Sequence, residues 1–150
     1  MNRFLPAIKS YLILSFPFFL CSCASVPTKK VCFDNVCVYS EIADSDFKRT
    51  QGLMFREYMK ENRAMLFVFD QEDRYSFWMK NMRFPLDIIW ISEDKRVAQI
   101  RTDVKPCVSS GICESLMPSK RAKYALEVNA GFVNRHEIKI GGEVKFSLTK

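Results

Sequence analysis

The chain has 150 residues and a formal net charge of +6 at pH 7, with 27% charged and 48% hydrophobic residues. The roughly 120 residues beyond the amino-terminal segment can bury one hydrophobic core but not comfortably two, which excludes a multidomain architecture. Lys, Arg, Asp and Glu are interspersed along the chain rather than clustered. This pattern favours a solvated surface of mixed charge over a nucleic-acid-binding face, and we expect no nucleic-acid partner.

The first 22 residues have the pattern of a secretory signal peptide. Arg3 and Lys9 give a positive start, and an apolar run follows at residues 11–20. The run is shorter than the about 20 apolar residues that cross a bilayer, and Pro17 interrupts it. A cleaved signal is therefore favoured over an uncleaved membrane anchor, although that alternative and a plain secretory signal stay open.

The end of this signal resembles a bacterial lipobox. Leu20-Cys21-Ser22 precedes Cys23, and the resemblance implies that Cys23 is lipidated after the leader is cut. It divides the chain into a signal peptide (1–22), a lipidated tether (23–30) and a single domain (31–150). Ala24 is not the aspartate that marks inner-membrane retention. We therefore expect the protein to be anchored by lipid on the periplasmic face of the cell envelope, at the outer membrane if the host has two membranes.

Four cysteines remain in the domain, an even set that fits an exported protein. The residues around Asp34-Asn35 predict a two-residue hairpin, which puts Cys32 directly opposite Cys37 at a separation that a disulfide can bridge. Cys107 and Cys113 enclose a segment of loop composition, and we expect a second disulfide there. A four-cysteine zinc site is the alternative, but the absence of CxxC spacing disfavours it. No metal and no cofactor are expected.

Most of the domain alternates apolar and polar residues with the period of a β-strand. Beyond the first hairpin, strands are predicted at residues 64–69, 75–80, 86–91, 97–102, 123–128 and 144–148. A helix is predicted at residues 44–52, with Asp44 or Ser45 as its cap, and a short helical turn at residues 130–134. These elements predict a mainly β fold: a single compact antiparallel β-sandwich or partly closed barrel with one or two short helices.

The strands at residues 75–80 and 86–91 are predicted to pair as a hairpin with Lys80 opposite Asp87. In this register one face of the hairpin is entirely apolar, and Trp78 shares the other face with Lys80 and Asp87. The hairpin therefore predicts a core-facing side and a side that is partly polar.

Five short motifs carry a resemblance to a known family. They are Gly52-Leu53-Met54-Phe55-Arg56, Met65-Leu66-Phe67-Val68-Phe69, Ser76-Phe77-Trp78-Met79-Lys80-Asn81, Pro85-Leu86-Asp87-Ile88 and Leu126-Glu127-Val128-Asn129-Ala130-Gly131. In this order they resemble the domain-of-unknown-function family 192, also called uncharacterised protein family 127, over about residues 38 to 148. The resemblance implies a small, mainly β protein, often exported, and brings no established reaction.

Polar and aromatic residues of these motifs are the candidate ligand-binding residues. They are Arg56, Trp78, Lys80, Asn81, Asp87 and Glu127. Strand parity and loop position predict that they converge on one partly open pocket. In the alternative interpretation, Lys80 with Asp87 and Arg56 with Glu127 are ordinary ion pairs of a β fold, and Trp78 packs under a loop.

The sequence favours a binding or structural module with a small polar pocket, because no catalytic set is recognisable. Expected partners are the membrane, through the lipid on Cys23, and a small polar ligand or glycan. The alternative is a hydrolase that uses Asp87 and Glu127 as an acid/base pair on an envelope glycan or other polar substrate. A metalloprotein is disfavoured, because the one histidine, His136, lies outside any HExxH motif.

Overall fold

A computed structural model of the protein describes residues 26–107 and 112–148. The predicted signal peptide and Cys23 lie outside the described residues. In chain order the elements are β1 (Thr28–Cys32), β2 (Cys37–Ala43), α1 (Asp46–Gln51), β3 (Arg63–Asp73), β4 (Leu86–Ile91), β5 (Val97–Val104), β6 (Ala122–Asn129) and α2 (Phe132–Arg135). No helix among the described residues is long and apolar enough to cross a membrane.

The six strands form one sheet in the order β1-β2-β3-β6-β4-β5. The prediction of a mainly β fold with two short helices is confirmed. The sheet is mixed rather than wholly antiparallel, because β2 and β3 run parallel. Residues 44–62, which include α1, connect these two strands and return the chain to the same end of the sheet, as a parallel pair requires. The sheet is open between the edge strands β1 and β5 and is not closed into a barrel.

Several predicted elements occur where the local sequence places them. Strands predicted at residues 64–69, 86–91, 97–102 and 123–128 correspond to β3, β4, β5 and β6. The Ser45 side chain accepts a hydrogen bond from the Lys48 backbone at 3.4 Å and caps α1. Gly52 ends the helix with a φ of +49°, a conformation that disfavours residues with a Cβ.

The first hairpin is also confirmed, and with it the pairing of the cysteines. Cys32 lies opposite Cys37 in the β1–β2 register, and their Cα atoms are 4.0 Å apart. The Phe33 backbone donates to the Val36 carbonyl at 2.8 Å across the turn. The second predicted pair, Cys107 and Cys113, is likewise at disulfide distance, with a Cα separation of 5.5 Å.

Two predicted strands are wrong, and the central hairpin is wrong with them. Residues 75–80 form no strand, and Phe77 makes only an isolated bridge to Leu116. Residues 144–148 likewise form no strand, and Lys145 makes an isolated bridge to Cys32. β4 already pairs with β5 along one edge and with β6 along the other, so residues 75–80 cannot pair with it. Their alternation reflects packing of a loop against the sheet instead.

The sheet separates two cores. The helix core lies on the side of α2 and contains Phe132, Val133 and Leu126. The loop core lies on the other side, where residues such as Leu53 and Met79 cover the sheet. Because the side chains of a strand alternate between faces, β4 contributes to both cores and is buried along its whole length.

Candidate functional site

Glu127 is a carboxyl buried in the middle of the sheet. It lies on β6 between Met65 of β3 and Ile88 of β4, which places its side chain on the loop-core face. Its exposed fraction is 5%, and its Oε2 atom has no hydrogen-bond partner among the described residues. Burial raises the pKa of Glu127 to about 8, and the nearby Arg56 charge offsets only part of this effect. The carboxyl group is therefore mostly protonated at neutral pH.

Glu127 lines an inner pocket of about 110 Å³. The other walls are mainly apolar side chains from β3 and from the loops that cover the sheet: Leu53, Met54, Phe67, Phe77 and Met82. Arg49 and Thr50 of α1 contribute to the rim. Such a pocket, apolar except for a few polar groups, has the composition of a small-molecule site.

An outer cleft of about 820 Å³ leads to this pocket from the surface. The two cavities share lining residues from α1, from the end of β3 and from the loop that follows: Arg49, Thr50, Phe69, Ser76, Phe77 and Trp78. The outer cleft adds polar side chains, among them Asp70, Gln71 and Ser115. The outer cleft therefore adjoins the inner pocket that Glu127 lines.

Aromatic rings form one side of the cleft. The Tyr75 ring stacks on Phe69 with centroids 3.6 Å apart, and Phe77 packs edge-on against Trp90 at 5.7 Å. The indole nitrogen of Trp90 donates to the Tyr75 carbonyl at 3.0 Å. This bond attaches the non-strand segment at residues 75–78 to β4, so the aromatic wall is held by the sheet.

Trp78 stands at the junction of the cleft and the inner pocket. Its exposed fraction is 47%, so its ring offers open aromatic surface. Lys80 lies beside it, with the ammonium nitrogen 5.4 Å from the ring centroid, within range of a cation–π contact. The structure thus places Trp78 at the pocket and Lys80 at its margin.

Arg56 lies near Glu127 but is engaged by another carboxylate. It donates two hydrogen bonds to Glu41, at 2.5 and 2.8 Å. These bonds hold the pKa of Glu41 below its usual range and raise that of Arg56. The predicted Arg56–Glu127 ion pair is replaced by this bidentate pair, and Arg56 acts on Glu127 only through its charge.

Asn81 connects two loops above the inner pocket. Its carbonyl accepts from the Phe55 backbone at 2.9 Å, and its side chain contacts the Met54 sulfur at 3.8 Å. Asn81 and Phe55 both have positive φ, at 57° and 64°. Such left-handed conformations outside glycine are uncommon and occur often at binding sites. Asn81 therefore helps to position the cover of the pocket.

Asp87 does not join the other candidates. It is fully buried on the helix-core face, opposite Val128, and accepts hydrogen bonds from the backbones of Asp103 and Val133 at 2.8 and 2.9 Å. The predicted pairing with Lys80 is absent because the hairpin that would create it does not form. Asp87 instead connects β5 to the first turn of α2.

The outer cleft includes residues that the sequence analysis missed. Arg49, Thr50, Phe69, Tyr75 and Ser76 line it without having been candidates. One signal for the site was present, since Glu127 is the one charged residue in the buried run 124–128 of β6. Among the residues that the structure describes, no three His, Cys, Asp or Glu side chains come close enough together to hold a metal ion.

Comparison of the sequence identifies related proteins without an assigned activity. The model of the DUF192 family, described as "Uncharacterized ACR", matches residues 30–146. The UPF0127 protein TK1120 of Thermococcus kodakarensis is 29% identical over 112 residues, 73% of this chain and 66% of that protein. A UPF0127 protein of Thermococcus gammatolerans is 27% identical over 112 residues, 73% of this chain and 67% of its own length. The chain thus spans about two thirds of these relatives.

Two crystal structures resemble the fold. One, from Sinorhizobium meliloti 1021, is described as a proposed transcription regulator and has a TM-score of 0.73 with 27% identity, covering 82% of this chain and 96% of that one. The other, a protein of unknown function from Novosphingobium aromaticivorans, has a TM-score of 0.69 with 30% identity, covering 79% and 83%.

Proposed function

The chain belongs to the DUF192 family of uncharacterised proteins, and from its cleft we propose that the domain is a binding module for a small polar ligand, such as a fragment of an envelope glycan. One observation carries this proposal. The cleft ends at a buried carboxyl whose Oε2 atom lacks a partner among the described residues. A buried polar atom without a hydrogen bond costs about 1–3 kcal/mol, which a ligand group in the pocket would offset.

The cleft suits a ligand that has both apolar and polar surfaces. Trp78 and Tyr75 offer aromatic rings, and Gln71 and Ser115 add groups that can form hydrogen bonds. A sugar ring presents hydroxyl groups at its edge and C–H groups on its face, so it can use both kinds of contact. This combination favours a glycan over a wholly apolar ligand.

The hydrolase alternative has no such support. It requires Asp87 and Glu127 to act on one substrate, but the β4–β6 register directs their side chains to opposite faces of the sheet. No other carboxyl side chain lines the inner pocket among the described residues. Binding without bond cleavage is therefore the function that we favour.

We further propose that the domain works at the membrane, anchored by lipid on Cys23. The signal pattern and the lipobox resemblance support this location. The two cysteine pairs at disulfide distance support it as well, because disulfides persist mainly outside the reducing cytosol. A glycan of the cell envelope would then be within reach of the cleft.

The proposal can be tested by calorimetry and thermal shift on the full-length protein in detergent. The ligand panel contains peptidoglycan fragments, neutral oligosaccharides and small anions. At least one ligand should bind wild type and raise its Tm, and Trp78→Ala should abolish this effect. Tyr39→Ala is the matched control, because Tyr39 has a similar exposed fraction of 44% and lies on β2, outside the cleft. Failure of the whole panel, or equal binding by Trp78→Ala, would contradict the proposal.

A further inference from the structure

Resting on this proposed function, we propose that the inner pocket receives the N-acetyl group of an amino sugar, whose carbonyl oxygen accepts a hydrogen bond from the Glu127 carboxyl group. The sugar ring stays in the outer cleft against Trp78. Three properties of the site indicate this ligand class: its size, its wall chemistry and its charge.

The size of the inner pocket limits the group that enters it. Its volume of about 110 Å³ is below the roughly 150 Å³ of an engineered cavity that takes up benzene. A whole sugar ring is too large, whereas an acetamido group is smaller than benzene. The outer cleft, at about 820 Å³, has room for the ring and its neighbours.

The walls of the inner pocket suit the two ends of an acetyl group. Met54, Phe67 and Met82 give apolar contacts for its methyl group. At the polar end, the Oε2 atom of Glu127 has no partner among the described residues. A protonated carboxyl has an O–H to donate, and an amide carbonyl oxygen is a good acceptor for it. A hydroxyl group in the same place would leave the apolar walls without contacts.

The charges around the pocket favour a neutral group over an ion. Arg49 at the rim is paired with Asp46 at 2.6 Å and also donates to the Val68 carbonyl at 2.7 Å. Arg56 is paired with Glu41, and the part of its positive charge that Glu41 does not offset acts on Glu127. Both arginines near Glu127 are thus already engaged by carboxylates, which weakens their attraction for an anion. An ammonium group would be opposed by its desolvation in the apolar pocket.

The test compares three oligosaccharides of equal length by calorimetry on full-length protein at pH 7. They are a β-1,4-linked N-acetylglucosamine trimer, its fully de-N-acetylated counterpart, and cellotriose, which has a hydroxyl in place of the acetamido group. We expect the acetylated trimer to bind at least tenfold more tightly than either of the others. Equal affinity for all three would overturn the N-acetyl assignment while leaving the binding function in place.

Variants of Glu127 test the hydrogen bond itself. Glu127→Gln keeps an N–H donor without a titrating group, so the affinity that it retains should not change between pH 6 and pH 9.5. Wild type should weaken about tenfold per pH unit above pH 8, as Glu127 ionises. Glu137→Gln, an exposed carboxyl just after α2, is the control and should behave like wild type.

Other results would overturn the inference. These are a tighter complex with the de-N-acetylated trimer, or an affinity of wild type that is unchanged between pH 7 and pH 9.5. If none of the three sugars binds, the N-acetyl assignment fails, and the binding function fails with it only if the wider ligand panel is also negative. Because the three-sugar comparison and the pH profile use wild type, they decide the question even if a Glu127 variant does not fold.

Discussion

Asp87 and Glu127 belong to adjacent residue pairs of β4 and β6, yet their side chains leave the sheet on opposite faces. Asp87 lies opposite Val128, and Glu127 lies opposite Ile88. Asp87 accepts two backbone hydrogen bonds in the helix core. The Oε2 atom of Glu127 faces the loop core without a partner among the described residues. The first carboxyl therefore stabilises the fold, and the second is the group that we propose a ligand contacts.

Replacing Asp87 should destabilise the protein strongly. Asp87→Leu removes the acceptor of the buried Val133 N–H and of the part-buried Asp103 N–H, and we expect a loss of about 2–4 kcal/mol in the free energy of unfolding. Adding Lys80→Met should not restore stability, because Lys80 does not pair with Asp87. Urea denaturation measures both variants.

The control for this experiment is Asp103→Asn. The Asp103 side chain pairs with the exposed Lys105, and asparagine tolerates its φ of 52°. A change of less than about 0.5 kcal/mol is expected. The structural role of Asp87 would be refuted by an Asp87→Leu variant as stable as this control.

Glu127 should make the stability of the protein depend on pH. Its pKa is about 8 in the folded protein against an ordinary value of 4.5, so the folded state retains a proton that the unfolded state loses. The stabilising contribution is complete below pH 4.5 and falls by about 1.4 kcal/mol per pH unit as the pH rises towards 8, then levels off.

Urea denaturation of wild type and Glu127→Gln at pH 5, 7 and 9 isolates this contribution, because the other titrating groups are common to both. The stability of wild type relative to the variant should decrease from pH 5 to pH 9. A difference between the two proteins that does not change with pH would show that Glu127 titrates normally.

Arg56 should lower the pKa of Glu127, although it is paired with Glu41. Removing the charge in Arg56→Met should raise the Glu127 pKa above about 8, since burial would then act unopposed. NMR titration of the carboxyl carbon measures the shift. Arg83→Met is the control, because Arg83 pairs with Glu57 at the surface and should leave the Glu127 titration unchanged. A fall in the Glu127 pKa in Arg56→Met would contradict the assignment.

The parts of the fold that could be predicted are those with local causes. Ser45 and Gly52 mark the ends of α1, because a cap and a glycine act on their nearest neighbours. The hairpin that aligns Cys32 with Cys37 follows from a two-residue turn. The strands β4 and β6 could be located because each is a mainly apolar run, which is likewise a local property of the sequence.

The partners of the strands could not be predicted in the same way. The alternation at residues 75–80 is what a strand would show, but it arises because Phe77 and Met79 pack on the loop core from a loop. β4 is buried on both faces, and its sequence does not indicate which strand pairs with either of its edges. The predicted pocket therefore included Asp87, whose true neighbours come from β5 and α2. Glu127 and Trp78 were identified, but the wall from α1 was missed because its residues are ordinary for a surface helix.

The disulfide of the first hairpin should contribute to stability. It closes a short loop, for which chain entropy gives about 2 kcal/mol. The double variant Cys32→Ser/Cys37→Ser should lose about this amount of unfolding free energy in urea denaturation. Reductant should cause no further loss that is due to this hairpin, because its disulfide is already absent. Non-reducing peptide mapping should recover Cys32 with Cys37 and Cys107 with Cys113. A crossed pair, such as Cys37 with Cys107, would contradict the assignment.

Cys23 should decide where the protein resides. If the lipobox resemblance is correct, Cys23→Ala removes the acylation site, so the protein should be released from membranes or accumulate as an unprocessed precursor. Cys21→Ala is the matched control, because Cys21 leaves with the signal peptide and its loss should change little. Membrane fractionation and intact mass measure both outcomes. A Cys23→Ala protein that is fully processed yet still extracted only by detergent would refute lipid anchoring, because membrane attachment would then have another cause.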